Sequence, residues 1–126
     1  AVHVVGRVDR DVLARLYREA AATIVPSLYE QGSFPLLEAM HWGCPVASSD
    51  IPALREAFAS MGDAMPFFDP RNEAAIAAAI TDTITHRDAV VARQAAAFER
   101  LRARTWADVA REWVAVCDEA IRRHGQ

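Results

Sequence analysis

The sequence predicts an α/β fold, a parallel sheet of about four strands with flanking helices, and three observations predict it. Short β-rich runs recur at Val2–Val5, Thr23–Val25, Pro45–Ser48 and Met65–Phe68. Stretches with apolar residues at helical spacing separate them, which is the rhythm of strands joined by helical crossovers. Helix punctuation falls between the runs, with Pro35 at a first turn and Gly43 just past a last one.

Each element follows in order. After the first run, Val12, Leu13, Leu16, Tyr17 and Ala20 share one helical face, with Asp9 or Arg10 at the helix start. Thr23–Val25 is the next strand. Leu36, Leu37 and Met40 supply apolar contacts to the helix that Pro35 opens, and a third strand follows Gly43 almost at once. Beyond Phe68, Asp69-Pro70-Arg71-Asn72-Glu73 reads as a turn and helix start. Ile76, Ile80 and Ile84, four apart, place the next helix on the sheet. The last third is helical, broken at Arg104-Thr105, where Thr105 caps a helix over about 105–123. Trp106, Val109, Trp113, Cys117, Ala120 and Ile121 form one apolar stripe on that helix, and two Trp on one stripe call for a docking partner.

Composition bounds the function. The 126 residues make about one domain, and 52% apolar with 25% charged residues excludes a long disordered tail, a collagen-like repeat or a disulfide scaffold. Fourteen basic and 17 acidic residues leave a net charge of −3, which argues against nucleic acid and acidic membranes as partners and favours a small molecule or a protein. Every basic residue is Arg, which we read as coding bias. Cys44 and Cys117 are far apart and lack metal-site spacing, so reduced structural thiols and a cytoplasmic location are expected. No apolar run reaches the roughly 20 residues a span requires. The strand-like opening at Ala1, without Met, suggests a processed or excised segment.

The informative stretch is Pro26-Ser27-Leu28-Tyr29-Glu30-Gln31-Gly32-Ser33-Phe34-Pro35-Leu36-Leu37-Glu38-Ala39-Met40. It runs from the carboxyl end of a strand through a loop into a helix. That is the ligand crevice of open parallel sheets, and a helix N-terminus there favours an anion such as a diphosphate. Gly32 permits close approach of the backbone and Ser33 adds a hydroxyl. Glu38 can accept hydrogen bonds from paired sugar hydroxyls, and Glu30 from a second sugar; equally, Glu38 can merely complement the helix dipole and Glu30 be a solvated acid. His41 fits a helix C-terminus. His3, His86 and His124 carry no signal. Asp50 and Glu56 can line the crevice, or serve as a helix cap and a solvated acid.

Glu30-x7-Glu38, with Pro26-Ser27 before it and Ala39-Met40-His41-Trp42-Gly43-Cys44-Pro45-Val46 after it, resembles the signature of the group 1 glycosyltransferases of GT-B fold. Val5-Gly6-Arg7-Val8, Ser49-Asp50-Ile51-Pro52-Ala53-Leu54-Arg55-Glu56, Phe67-Phe68-Asp69-Pro70 and Thr105-Trp106 look like further landmarks of that family. The resemblance implies that residues 1–126 form one partial domain, part of a C-terminal Rossmann-like donor domain. It implies a nucleotide-diphosphate sugar as donor and transfer of a hexose to a glycan, lipid or small acceptor. Glu38 would bind the ribose, Glu30 would act catalytically on the donor sugar, and Gln31, Gly32, Ser33, Phe34, Pro35 and Leu36 would hold the diphosphate or sugar. Arg7 and Val8 would lie by the nucleobase. No metal or other cofactor is implied, and the acceptor can sit at the inner face of the membrane.

Two departures accompany the resemblance. Gln31 and Ser33 stand where many members have small residues, which touches the donor-sugar contacts. The family's catalytic basic pair and its acceptor-binding N-terminal domain have no counterpart here, so the chain alone is expected to be inactive; the alternative is a non-catalytic scaffold or nucleotide-binding module acting with a partner subunit. In the doubly wound order the Val2–Val5 run would be strand 3 and the others strands 4, 5 and 6, with strands 1 and 2 absent between them. A rearranged sheet, or an edge-paired or swapped homodimer through Thr23-Ile24-Val25, is therefore expected.

Overall fold

The computed structural model describes residues 1–124. Its elements are α1 (Arg10–Glu19), β1 (Thr23–Val25), α2 (Phe34–His41), β2 (Val46–Ser49), α3 (Pro52–Ala57), a 3₁₀ segment (Ala59–Ala64), β3 (Phe67–Phe68), α4 (Glu73–Thr85), α5 (Arg87–Arg102) and α6 (Trp106–His124). The strands form one parallel sheet in the order β1-β2-β3, with Thr23 opposite Val46 and Ser48 opposite Phe67. This is the expected α/β architecture, a Rossmann-like parallel sheet flanked by helices.

The strand count is three rather than four. Val2–Val5 forms no strand, and Val2 and Val4 are 93% and 94% exposed. A strand is stabilised by a neighbour's ladder, and the expected sheet order puts two strands between this run and β1. With neither present the run has nothing to pair with, and the remaining strands keep their order instead of rearranging.

All four residues of β2 are buried, as befits a central strand covered on both faces. Its apolar surroundings come from Leu36, Ala39 and Met40 of α2, Leu54 of α3, Phe58 and Met61 around the 3₁₀ segment, and Ala97 and Phe98 of α5. β3 pairs with only the far end of β2: Ser48 N–H donates to Pro66 O, and Asp50 N–H to Phe68 O. Val46, two residues back on the same edge, is served by a side chain. Gln94 of α5 accepts from Val46 N–H at 3.0 Å and donates to Val46 O at 2.8 Å, so one buried amide stands in for a strand.

Local signals explain the helix ends. Gly43 has φ +72°, a conformation that costs a residue with a Cβ dearly, and it ends α2. Gly43 N–H donates to Met40 O and Cys44 N–H to Ala39 O, the paired bonds of a Schellman ending, and β2 starts three residues later. Asn72 caps α4 by accepting from Ala75 N–H at 3.1 Å. Thr105 and Asp108 form a reciprocal box at the start of α6: Thr105 Oγ1 accepts from Asp108 N–H, and Asp108 Oδ2 accepts from Thr105 N–H.

Two expected packings are only partly realised. On α1, Val12, Leu13 and Tyr17 are half-buried and Ala14 is buried, but Leu16 is exposed. The stripe on α6 stays open: no residue of this helix is buried, and Trp106 is 87% exposed. The docking that the two Trp call for is not made within the described residues.

Candidate functional site

The loop Pro26–Ser33 leaves the carboxyl end of β1 and enters α2, which places the N-terminus of α2 at the crevice end of the sheet. Within the helix, the N–H groups of Ser33, Phe34 and Leu36 have no partner one turn back, and Pro35 has none to offer. Ser33 sits at the cap position but makes no cap bond; it is 3% exposed, and its hydroxyl is buried without a hydrogen-bond partner. Such a group is costly unless a ligand or water meets it. Gly32, Ser33 and Phe34 line a largely apolar cavity of about 290 Å³ with Leu37, Ala57, Phe58, Leu101 and Arg102.

Glu38, one turn further along, opens on a second cavity of about 640 Å³ between α1, α2 and α5, lined by Arg10, Asp11, Leu13, Ala14, Tyr17, Arg18, Leu37, Glu38, His41, Trp42, Phe98 and Arg102. Leu37 and Arg102 line both cavities, so the two adjoin across α2. Three Arg on this wall give it a positive bias against the two acids. Tyr17 donates its hydroxyl to Glu38 Oε2 at 3.2 Å. Burial, followed by the charge of Glu38 and its hydrogen bond, raises the Tyr17 pKa, so the phenol stays protonated. The Arg18 guanidinium lies 4.1 Å from the Trp42 ring centroid.

The expected site residues do not all meet. Glu30 is half-buried and accepts from Ser27 Oγ at 2.9 Å, outside both cavities. Gln31 and Pro35 are exposed, and Leu36 is wholly buried in the core, where only its N–H could serve a ligand. Arg7 is exposed and Val8 half-buried before α1; Arg10 and Asp11, not Arg7 and Val8, share the cavity with Glu38. Asp50 lines neither cavity. Its carboxylate takes two hydrogen bonds from Arg55, at 2.6 and 2.7 Å, and these hold it below the usual carboxylate range. Arg55 in turn lies over the Phe67 ring. Glu56 is exposed.

In the sequence Tyr17 reads as part of an apolar helix face and a family landmark, with no sign of its polar contact, and Arg102 carries no signal. The Ser27-x-x-Glu30 spacing is a local signal for the Ser27–Glu30 hydrogen bond alone. Nothing in the sequence links Arg102 to residues some seventy positions earlier.

A parallel sheet flanked by helices, with a helix N-terminus beyond the carboxyl end of a strand, is the arrangement of a doubly wound α/β domain. The comparisons make this specific. The family model for glycosyl transferases group 1 matches residues 1–86, and the chain belongs to that family of GT-B enzymes. It is 36% identical over 83 residues to O-antigen chain mannosyltransferase B of Escherichia coli, covering 66% of this chain and 21% of that protein. It is 35% identical over 101 residues to the glycogen synthase of Mycobacterium tuberculosis, covering 80% of this chain and 24% of that protein. The chain thus spans about a quarter or less of the length of these relatives. No solved structure matches it. No helix among the described residues is long and apolar enough to cross a membrane.

Proposed function

We propose that this chain is the donor-binding part of a hexosyltransferase that uses a nucleotide-diphosphate sugar. The observation that carries the reading is the buried, unpartnered hydroxyl of Ser33 at the open N-terminus of α2, one turn from Glu38. An anion there meets free N–H groups, a hydroxyl donor and the positive helix end together. In this reading the diphosphate lies against Gly32, Ser33, Phe34 and the Leu36 N–H, with Arg102 beside it, and Glu38 accepts from the ribose. Glu30, oriented by Ser27, faces the donor sugar. The helix end and the Arg side chains take the role of a cation, so the leaving diphosphate is stabilised electrostatically without a metal.

Residues 1–126 form one partial domain, and turnover belongs to a longer chain with an acceptor-binding domain. Relatives about three times as long support this. The buried free thiol of Cys44 supports a reducing, cytoplasmic setting, with an acceptor that is soluble or held at the inner membrane face. On its own, the chain pairs through the outer edge of β1 into a homodimer, since an open edge recruits another strand. A monomeric mass by light scattering at high concentration counts against that pairing.

The test of the donor site is an amide NMR titration with UDP and GDP. Resonances from Gly32 to Glu38 should broaden or shift, and Glu38→Ala should abolish the effect. Binding unchanged in that variant means the site is misplaced. Binding absent in the wild-type chain favours the second reading, a non-catalytic module, which the Gln31 departure also favours.

A further inference from the structure

A carboxylate on an exposed helix face ordinarily has only water for a partner, but Glu38 has a protein donor. Tyr17 comes from a different helix, 21 residues earlier, and its hydroxyl engages Oε2 alone. Both residues line the larger cavity, and no second hydrogen bond to the Glu38 carboxylate is made among the described residues. The same division recurs at the other acid of the pair, where Ser27 Oγ engages only Oε1 of Glu30. Each acid therefore has one oxygen held by a protein hydroxyl and one left open.

We propose that Tyr17 is a positioning residue for Glu38: by holding Oε2 it aims Oε1 at a ribose hydroxyl of a nucleotide in the adjoining cavity. The inference rests on the nucleotide reading above and adds to it the residue that sets the ribose contact. The raised pKa of the phenol keeps it a hydrogen-bond donor at neutral pH. Asp11, Arg10, Arg18 and His41 also face this cavity, but none of them forms a hydrogen bond with Glu38. A mere tie between α1 and α2 would affect every ligand alike. A positioning role is selective for a ligand with both ribose hydroxyls.

The experiment is calorimetric binding of UDP, GDP and their 2′-deoxy forms to the chain and to Tyr17→Phe, with circular dichroism to confirm folding. Tyr17→Phe should weaken the ribonucleotide by about tenfold, as losing a hydrogen bond to a charged group does, and leave the 2′-deoxy form within about twofold. In a Tyr29→Phe background, where Tyr17 is the one remaining tyrosine, Glu38→Gln should lower the phenol's titration midpoint. Equal weakening of both nucleotide forms, or none, overturns the positioning role while the nucleotide reading stands. An unmoved phenol midpoint overturns the contact itself. Failure of the wild-type chain to bind either ribonucleotide overturns the nucleotide reading, and this proposal with it.

Discussion

Replacing Gln94 by Leu puts an apolar side chain of similar size on α5 and removes both hydrogen bonds to Val46. Gln94 is 2% exposed and Val46 wholly buried, so water cannot take the place of the lost amide. One backbone N–H and one C=O are left bare. At about 1–3 kcal/mol for each buried unsatisfied group, the variant should lose about 2–6 kcal/mol. Set against the 5–15 kcal/mol typical of a domain, that is a large share. The assay is urea unfolding followed by circular dichroism, with the midpoint falling and the slope unchanged. Gln94→Glu sharpens the test: the ionised acid cannot donate to Val46 O, whereas the protonated acid can. Burial raises the pKa of a carboxyl, so this variant should be less stable than wild type at neutral pH and recover as acid protonates it. A loss below about 0.5 kcal/mol in Gln94→Leu, within the range of ordinary surface changes, refutes the idea that the amide replaces a strand.

The other expectations concern helix ends. Gly43→Ala meets no atom within 4 Å, so its cost is backbone strain alone, about 1–2 kcal/mol by thermal or urea unfolding, with Gly43→Asn costing less. Thr105→Ala should cost about 1 kcal/mol of local stability in α6, read as faster amide exchange in its first turn. The Asp108 carboxyl is held below its usual range, first by hydrogen bonds from Thr105 and then by Arg111 and Arg104. A lowered folded pKa gives stability that is present above the unfolded value near 4 and is lost as pH falls below it. Helicity of α6 should therefore decline on acidification below about pH 4 more in the wild-type chain than in Asp108→Asn, which keeps the helix's other ion pairs.

Local signals were legible wherever one residue type had a single physical use. Gly43 announced a left-handed ending, Pro35 a first turn and Thr105 a cap, and all three do what their chemistry allows. The sheet order of the three later strands was also readable, because short runs alternating with helices leave few topologies. Val2–Val5 misled because β propensity describes how a segment fits a sheet and says nothing of whether a neighbour is there to receive it. Glu30 and Glu38 could be placed on a loop and a helix from the sequence, but not what holds their carboxylates. Tyr17 reaches Glu38 only because α1 and α2 pack, and Gln94 reaches Val46 across 48 residues. Such pairings arise in three dimensions and leave no periodicity behind.

The tight ending of α2 also has a mechanical side. Helix α2 has eight residues, about 12 Å at 1.5 Å each, and is anchored at its far end to the buried strand β2 by the turn at Gly43 and Cys44. The Gly43 elbow is thus one pivot of a short rod whose other tip carries Ser33 and whose inner face, Leu36, Ala39 and Met40, is packed in the core. A tilt of about 10° at the pivot sweeps the tip by about 2 Å, more than the roughly 1 Å misplacement that already costs an enzyme heavily. The aim of the tip thus depends on the turn at the opposite end of the helix as well as on the buried face between, and that turn centres on a residue that lines neither cavity.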